Sequence, residues 1–128
     1  MASVVFDASA ILALLRGEPG ADIVARYVGD GLISAVNLHE VVKGLLRRGV
    51  PIKAALAMLD ALHLEVRTHS RDDAIAAARL FHATQQYGSG LGDRTCMALA
   101  IAEKLPALTT DQDWAKVEVT DLKVLLAR

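Results

Sequence analysis

Cysteine is almost absent from this chain. The single Cys96 excludes an internal disulfide and any metal site built from several thiolates. It fits a reducing compartment, so a cytoplasmic protein is expected. Aromatics are scarce too. Two Tyr, two Phe and one Trp leave no platform on which a run of nucleobases would stack. There are three prolines and no tract rich in Ser, Gly or Pro, hence no sign of a linker, a low-complexity segment or an internal repeat. No uncharged apolar run approaches the roughly 18 residues of a membrane helix. The opening MASVVFDASA lacks a basic start and is interrupted by Asp7, unlike a secretion signal. A soluble intracellular protein with no membrane role is therefore the expectation. Neither sign of charge dominates: 14 basic and 15 acidic side chains leave a net charge of −1. What the chain has in quantity is Ala, Leu and Val. Apolar residues make up 53% of its 128 positions, and mean hydropathy is +0.34. Such a composition excludes disorder. A chain of this size buries about two-thirds of its unfolded surface, and residues 1–128 read as a single domain.

Short apolar runs alternate with helical periodicity. Ser3–Phe6 predicts a buried strand. Ser9–Arg16 predicts a helix, Gly17–Gly20 a break and Asp22–Val28 a short helix. Leu32–Val36 predicts the next strand. Leu38, Val41, Val42, Leu45 and Leu46 then form one apolar stripe on a helix that Gly49 ends. Pro51 suits the first turn of another helix, with its stripe at Ile52, Ala55, Leu56, Leu59 and Leu62. Leu64–Thr68 alternates as a strand, Arg71–Gln85 predicts one long helix, and Tyr87–Gly92 a flexible turn. Asp93–Lys104 is apolar nearly all round and predicts a buried helix. Pro106–Thr110 predicts a short strand, Asp113–Lys116 a helical turn, and Val117–Leu126 contains a last edge strand. Strands separated by helices imply right-handed crossovers. The expected fold is a three-layer α/β/α arrangement with a central, mostly parallel sheet of about five strands.

In such sheets ligands bind beyond the carboxyl ends of the strands. Asp7 follows the first strand, Glu40 falls in the first turn of the helix after LISAV, Asp93 opens the Ala-rich helix, and Asp111 follows the short late strand. These four carboxylates are predicted to meet at one rim of the sheet. Like charges so placed repel and raise one another's pKa. A hard divalent cation such as Mg²⁺ or Mn²⁺ resolves the conflict, because it takes oxygen ligands and keeps several waters. It also acidifies water and screens a phosphodiester. Metal-assisted phosphodiester hydrolysis is the chemistry this set suits best.

Each acid has a plainer reading. Asp7 is a candidate N-cap. Asn37 and Glu40 match a capping box, with Asn37 at N-cap and Glu40 at N3. Asp93 and Asp111 suit helix starts. Asp113 reads either as a further ligand or as a first-turn acid, with the second favoured. The functional reading rests on the set. With five acids set aside, 14 basic side chains face 10 acidic ones. Lys43, Arg47, Arg48 and Arg94 lie near the expected rim and are candidates for contacting a polyanion such as RNA. A Glu40–Lys43 ion pair is the plainer alternative. The four histidines show no metal spacing and read as surface residues, and Cys96 reads as core. No Gly-rich phosphate loop and no nucleophile elbow is present.

VVFDASA at the start, NLHE near position 40, GLGDRTCMALA near 93 and LTTDQDW near 111 resemble the four motifs of PIN-domain ribonucleases. Spacing and length resemble the VapC toxins of type II toxin–antitoxin pairs, over essentially the whole chain. The resemblance implies a parallel sheet flanked by helices, with Asp7, Glu40, Asp93 and Asp111 as a quartet binding Mg²⁺ or Mn²⁺. It implies Ser9, Asn37 and Thr109 as supporting polar residues that orient carboxylates or waters. It also implies a homodimer, an RNA substrate cut internally, and a cognate antitoxin protein that wraps the enzyme and blocks the site. Asp113 departs from the commonest pattern, where a neutral residue follows T-x-D.

Two other classes share part of this pattern. A phosphatase or phosphotransfer site of the haloacid-dehalogenase type wants Asp-x-Asp after the first strand, and here Ser9 stands in the third position. A non-catalytic partner-binding module would use an exposed apolar face on the first two helices, at Ile11, Leu14, Leu15, Ile23 and Tyr27.

Overall fold

The computed structural model describes residues 1–128. In chain order the elements are β1 (Val4–Phe6), α1 (Ala8–Arg16), α2 (Ala21–Ala25), β2 (Gly31–Ser34), α3 (Ala35–Arg47), α4 (Ile52–Asp60), β3 (Glu65–Arg67), α5 (Arg71–Ala78), α6 (Phe81–Thr84), α7 (Leu91–Glu103), β4 (Ala107–Thr109) and β5 (Val124–Leu126). Turns of 3₁₀ helix cover Gln85–Tyr87 and Gln112–Lys116. The five strands form one sheet in the order β3-β2-β1-β4-β5, and every pairing is parallel. The expected α/β/α sheet is therefore wholly parallel.

Strand alternation assigns each residue to a layer, since successive side chains point to opposite faces. Val4, Phe6, Ile33 and Leu108 face a core shared with residues of α1 to α4. Val5, Leu32 and Ala107 face a second core shared with Cys96, Met97 and Ala100 of α7 and with Trp114. Gly31 pairs with Val4 and leaves room for the Phe6 ring, which a β-carbon there would overlap.

The chain winds outward from β1 through β2 to β3, then crosses back to β4 beside β1. The strand order reverses between β1 and β4, and a crevice opens there at their carboxyl ends. Asp7 follows β1 directly, and Asp111 stands two residues past β4.

Three expectations are corrected. The second strand stops at Ser34, and α3 starts at Ala35 with Ser34 as its cap, accepting from the Val36 amide at 3.2 Å. Asn37 is thus inside the helix, and Glu40 lies in its second turn rather than its first. The long helix over Arg71–Gln85 breaks after Ala78. Thr84 turns its hydroxyl back onto the carbonyls of Leu80 and Phe81, a contact that competes with the helical ladder. Finally, Ile11 is buried, and Leu14, Leu15, Ile23 and Tyr27 pack against the core, so the first two helices offer no free apolar face. The exposed apolar side chains are elsewhere, including Leu46, Ile52 and Leu56 of α3 and α4.

Candidate functional site

The crevice continues into a cleft of about 630 Å³. Asp7, Glu40, Asp93 and Asp111 all line it, together with Arg16, Lys43, Arg47 and Arg48. Four separate elements deliver the acids, so the set is assembled only by the fold.

Asp7 is 4% exposed and occupies the N-cap position of α1, but its side chain caps no helical amide. Its Oδ2 instead accepts from the Ser9 hydroxyl at 2.6 Å and from Thr109 Oγ1 at 2.8 Å. Ser9 in turn accepts from the Thr110 amide, and Thr109 from the Asp111 amide, each at 3.1 Å. Two hydroxyls thereby tie Asp7 to the end of β4 and fix its orientation. Burial raises its pKa to about 6, and the charges of Asp93 and Glu40 add to the rise against the opposing hydrogen bonds from Ser9 and Thr109.

Asn37, wholly buried, bridges α3 and α7. Its Nδ2 donates to Glu40 Oε1 at 2.8 Å and to the Gly92 carbonyl at 2.9 Å. This holds Glu40 against the start of α7. Gly92 has no side chain to obstruct it, whereas a β-carbon there would overlap the Glu40 carboxylate. Asn37 and Glu40 are joined, then, but by a side-chain bond into the cleft and not as the expected capping box.

Asp93 combines both of its readings. Its Oδ2 accepts from the Gly90 amide at 3.0 Å, capping α7, and the residue still lines the cleft. Burial raises its pKa, with the Gly90 bond opposing and Asp111 and Glu40 adding to it. Asp111 likewise caps the turn after it, accepting from the Asp113 amide at 3.0 Å. Asp113 is exposed, pairs with Lys116 at 3.2 Å and does not line the cleft, as its first-turn reading requires.

The basic residues divide. Lys43 and Arg47 line the cleft without a carboxylate partner, so the Glu40–Lys43 pair is not formed. Arg48 meets Glu18 only at 3.7 Å, both side chains being exposed. Arg94 is directed away: it donates to the Ser89 carbonyl at 2.7 Å and stacks over Phe81. Arg16 lines the cleft and was missed by the sequence reading. Cys96 is buried, and burial pushes its thiol pKa well up. His39, His63 and His82 are exposed and His69 is half-buried.

The donors in the cleft are all oxygen. That suits a hard cation, and the unbalanced burial of Asp7 beside Asp93 and Glu40 is the electrostatic condition such a cation relieves. No group of three among the His, Cys, Asp and Glu residues closes into a ready-made metal cage. An ion that keeps several waters, as Mg²⁺ does, needs only one or two protein carboxylates.

The fold and site define a doubly wound α/β domain with an acidic centre at its switch point and basic side chains along one wall of the same cleft. The chain belongs to the PIN domain family, whose model matches residues 4–119. No curated protein matches its sequence. Its fold is similar to that of a toxin–antitoxin complex from Klebsiella pneumoniae (21% identity, 98% of each chain covered, TM-score 0.73). It is also similar to that of the DNA-bound VapBC from Salmonella typhimurium (16% identity, 100% of each chain, TM-score 0.75). A third similar structure is the Mycobacterium tuberculosis VapC20, a Sarcin-Ricin loop cleaving toxin, at 18% identity, with 94% of this chain and 99% of that one covered and a TM-score of 0.73.

Proposed function

We propose that this protein is a metal-dependent endoribonuclease and the toxin of a toxin–antitoxin pair. The observation that carries the reading is the convergence of Asp7, Glu40, Asp93 and Asp111 in one cleft whose remaining polar wall is cationic. Asp7 and Asp93 would hold Mg²⁺ or Mn²⁺, with Glu40 and Asp111 completing the site directly or through water. When bound, the ion supplies Lewis acidity toward water and neutralises charge on the phosphoryl oxygens. The chain's own residues supply position. Ser9 and Thr109 hold Asp7, Asn37 holds Glu40, and the Gly90 amide holds Asp93. A carboxylate of the set takes the proton from the attacking water. Lys43, Arg47 and Arg48 draw the RNA backbone in.

The relatives that are toxin–antitoxin complexes support a cognate antitoxin as partner, and the same family likeness supports a homodimer and a cytoplasmic location. No helix is long and apolar enough to cross a membrane.

The test is cleavage of total RNA by purified, antitoxin-free protein in Mg²⁺, Mn²⁺ or EDTA. Cleavage with either metal and none in EDTA is expected, and intact RNA in all three overturns the reading. Thr109→Val is expected to weaken metal binding by about 10–100-fold, the range found when a group orienting a ligand is removed. The variant keeps the side-chain shape but deletes a hydrogen bond to Asp7, so Asp7 titrates still higher in the metal-free protein. Calorimetric metal titration checks the first effect and carboxyl NMR the second.

A further inference from the structure

Arg16 ends α1 half-buried, and its setting is unlike that of the other basic residues. Its Nη2 donates to the Gly44 carbonyl at 2.8 Å, which aims the guanidinium across the α1–α3 junction into the cleft it shares with the four acids. Its Nε is buried and has no hydrogen-bond partner. No carboxylate lies within ion-pair distance of it. Gly44 makes the seat: a β-carbon there would stand 3.1 Å from both Arg16 Nη2 and the Leu12 methyls, so any side chain would press the guanidinium outward.

A cation that is partly desolvated, fixed at one corner and uncompensated is costly to keep. The negative end of α1 offsets part of this cost, but it supplies no anionic partner for the guanidinium, and no ion pair does so. The buried Nε is closed to a ligand, but the edge of the guanidinium that lines the cleft is open, and its geometry matches a phosphodiester. Lys43 and Arg47, also unpaired, stand on the α3 wall on either side of Gly44. Gly44 lies one helical turn beyond Glu40, about 6 Å along the axis. A phosphate held there is a neighbour of the one at the carboxylates.

We propose that Arg16 is a substrate-binding residue: with Lys43 and Arg47 it holds a phosphodiester of the RNA strand adjacent to the bond being cut, and Gly44 is the positioning residue that seats it. This subsite rests on the nuclease reading and extends it.

The test uses the full chain carrying Asp7→Asn, which binds without cutting, and a short fluorescein-labelled oligoribonucleotide of mixed sequence followed by anisotropy in Mg²⁺. Adding Arg16→Ala is expected to weaken binding about tenfold and to reduce the slope of log affinity against log salt by about one. Arg16→Lys keeps the slope but loses most of the affinity, because a point charge does not replace the fork. Gly44→Ala lowers affinity while Arg16 itself is retained. In the cleaving protein Arg16→Ala raises KM and leaves kcat largely unchanged, as loss of uniform binding requires. The melting temperature of Arg16→Ala stays level or rises. Unchanged affinity, or affinity lost in step with the melting temperature, overturns the subsite while leaving the nuclease reading intact. A parent that neither binds nor cuts RNA overturns both.

Discussion

Replacing Asp7 by Asn is expected to silence RNA cleavage and, in the absence of divalent metal, to make the protein more stable. Both effects come from one carboxylate. Asp7 is buried, is restrained by two hydroxyls, and titrates near 6 instead of near its ordinary value of 3.8. A folded-state pKa above the unfolded one means that the folded protein binds more protons between these values. The contribution of Asp7 to stability is then most favourable below about pH 4 and is lost as pH rises through 6. At about 1.4 kcal/mol per unit, the ionised form is carried at a cost of about 3 kcal/mol at neutral pH. Asn accepts the same bonds from Ser9 and Thr109 without the charge. The expected gain in melting temperature at pH 7 in EDTA is on the order of 10 °C, and the gain should vanish near pH 4. Mg²⁺ should reverse the order, because it stabilises only the parent. Thermal melts across pH, with and without metal, decide this. A variant that melts lower than the parent in EDTA at pH 7 would show that Asp7 is held as an ordinary structural ion.

Asn37→Ala is expected to lose activity by about 10–100-fold, far more than its stability change explains. Its amide nitrogen faces two acceptors, Glu40 Oε1 and the Gly92 carbonyl. Only this orientation makes either contact a hydrogen bond. Truncation frees Glu40 to swing in the cleft and leaves a buried carbonyl unsatisfied, at about 1–3 kcal/mol. The Asn37 Oδ1 has no partner, so its removal offsets part of that cost. Asn37→Asp should be worse on both counts. It turns a donor into a third acceptor and adds a charge to an acidic cluster. Paired activity assays and denaturant melts separate the two effects. An Asn37→Ala protein with full activity would mean that Glu40 needs no positioning.

Much of this site was legible because strand ends announce themselves. Asp7 and Asp111 follow short β-branched or apolar runs, and a parallel sheet needs only strand order to bring such ends together. Glu40 was found for an incomplete reason. Val36 continues the β-branched pattern of LISAV, which predicts a strand running through it and leaves Asn37 in the position of a cap. The chemistry that decided the boundary was Ser34, whose hydroxyl caps α3, and the shift of the helix start carries Asn37 inside. Arg16 was invisible for a different reason. Nothing near it in sequence marks it, and its place in the cleft depends on how closely α1 approaches α3, which Gly44 sets 28 residues away. The break after Ala78 was hidden because Ala is the best helix former, and a run of it gives no hint that Thr84 turns back on the chain. The misplaced apolar face has a similar origin: α1 and α2 are amphipathic, and amphipathicity alone does not say whether the apolar side meets its own core or a partner.

The bond between Thr109 and Asp7 joins residues 102 positions apart, across a pair of strands that are neighbours in the middle of the sheet. Contacts of such long range carry a large loop-closure cost, which the packing of the intervening chain must offset. The acidic cleft therefore depends on a contact between segments far apart in the chain. During synthesis, a growing chain that has not yet released β4 has three of the acids at most and no hydroxyl from Thr109 to hold Asp7. A chain that stops before β4 lacks both Asp111 and the Thr109 hydroxyl, so the four-carboxylate cleft is assembled only once that strand is in place.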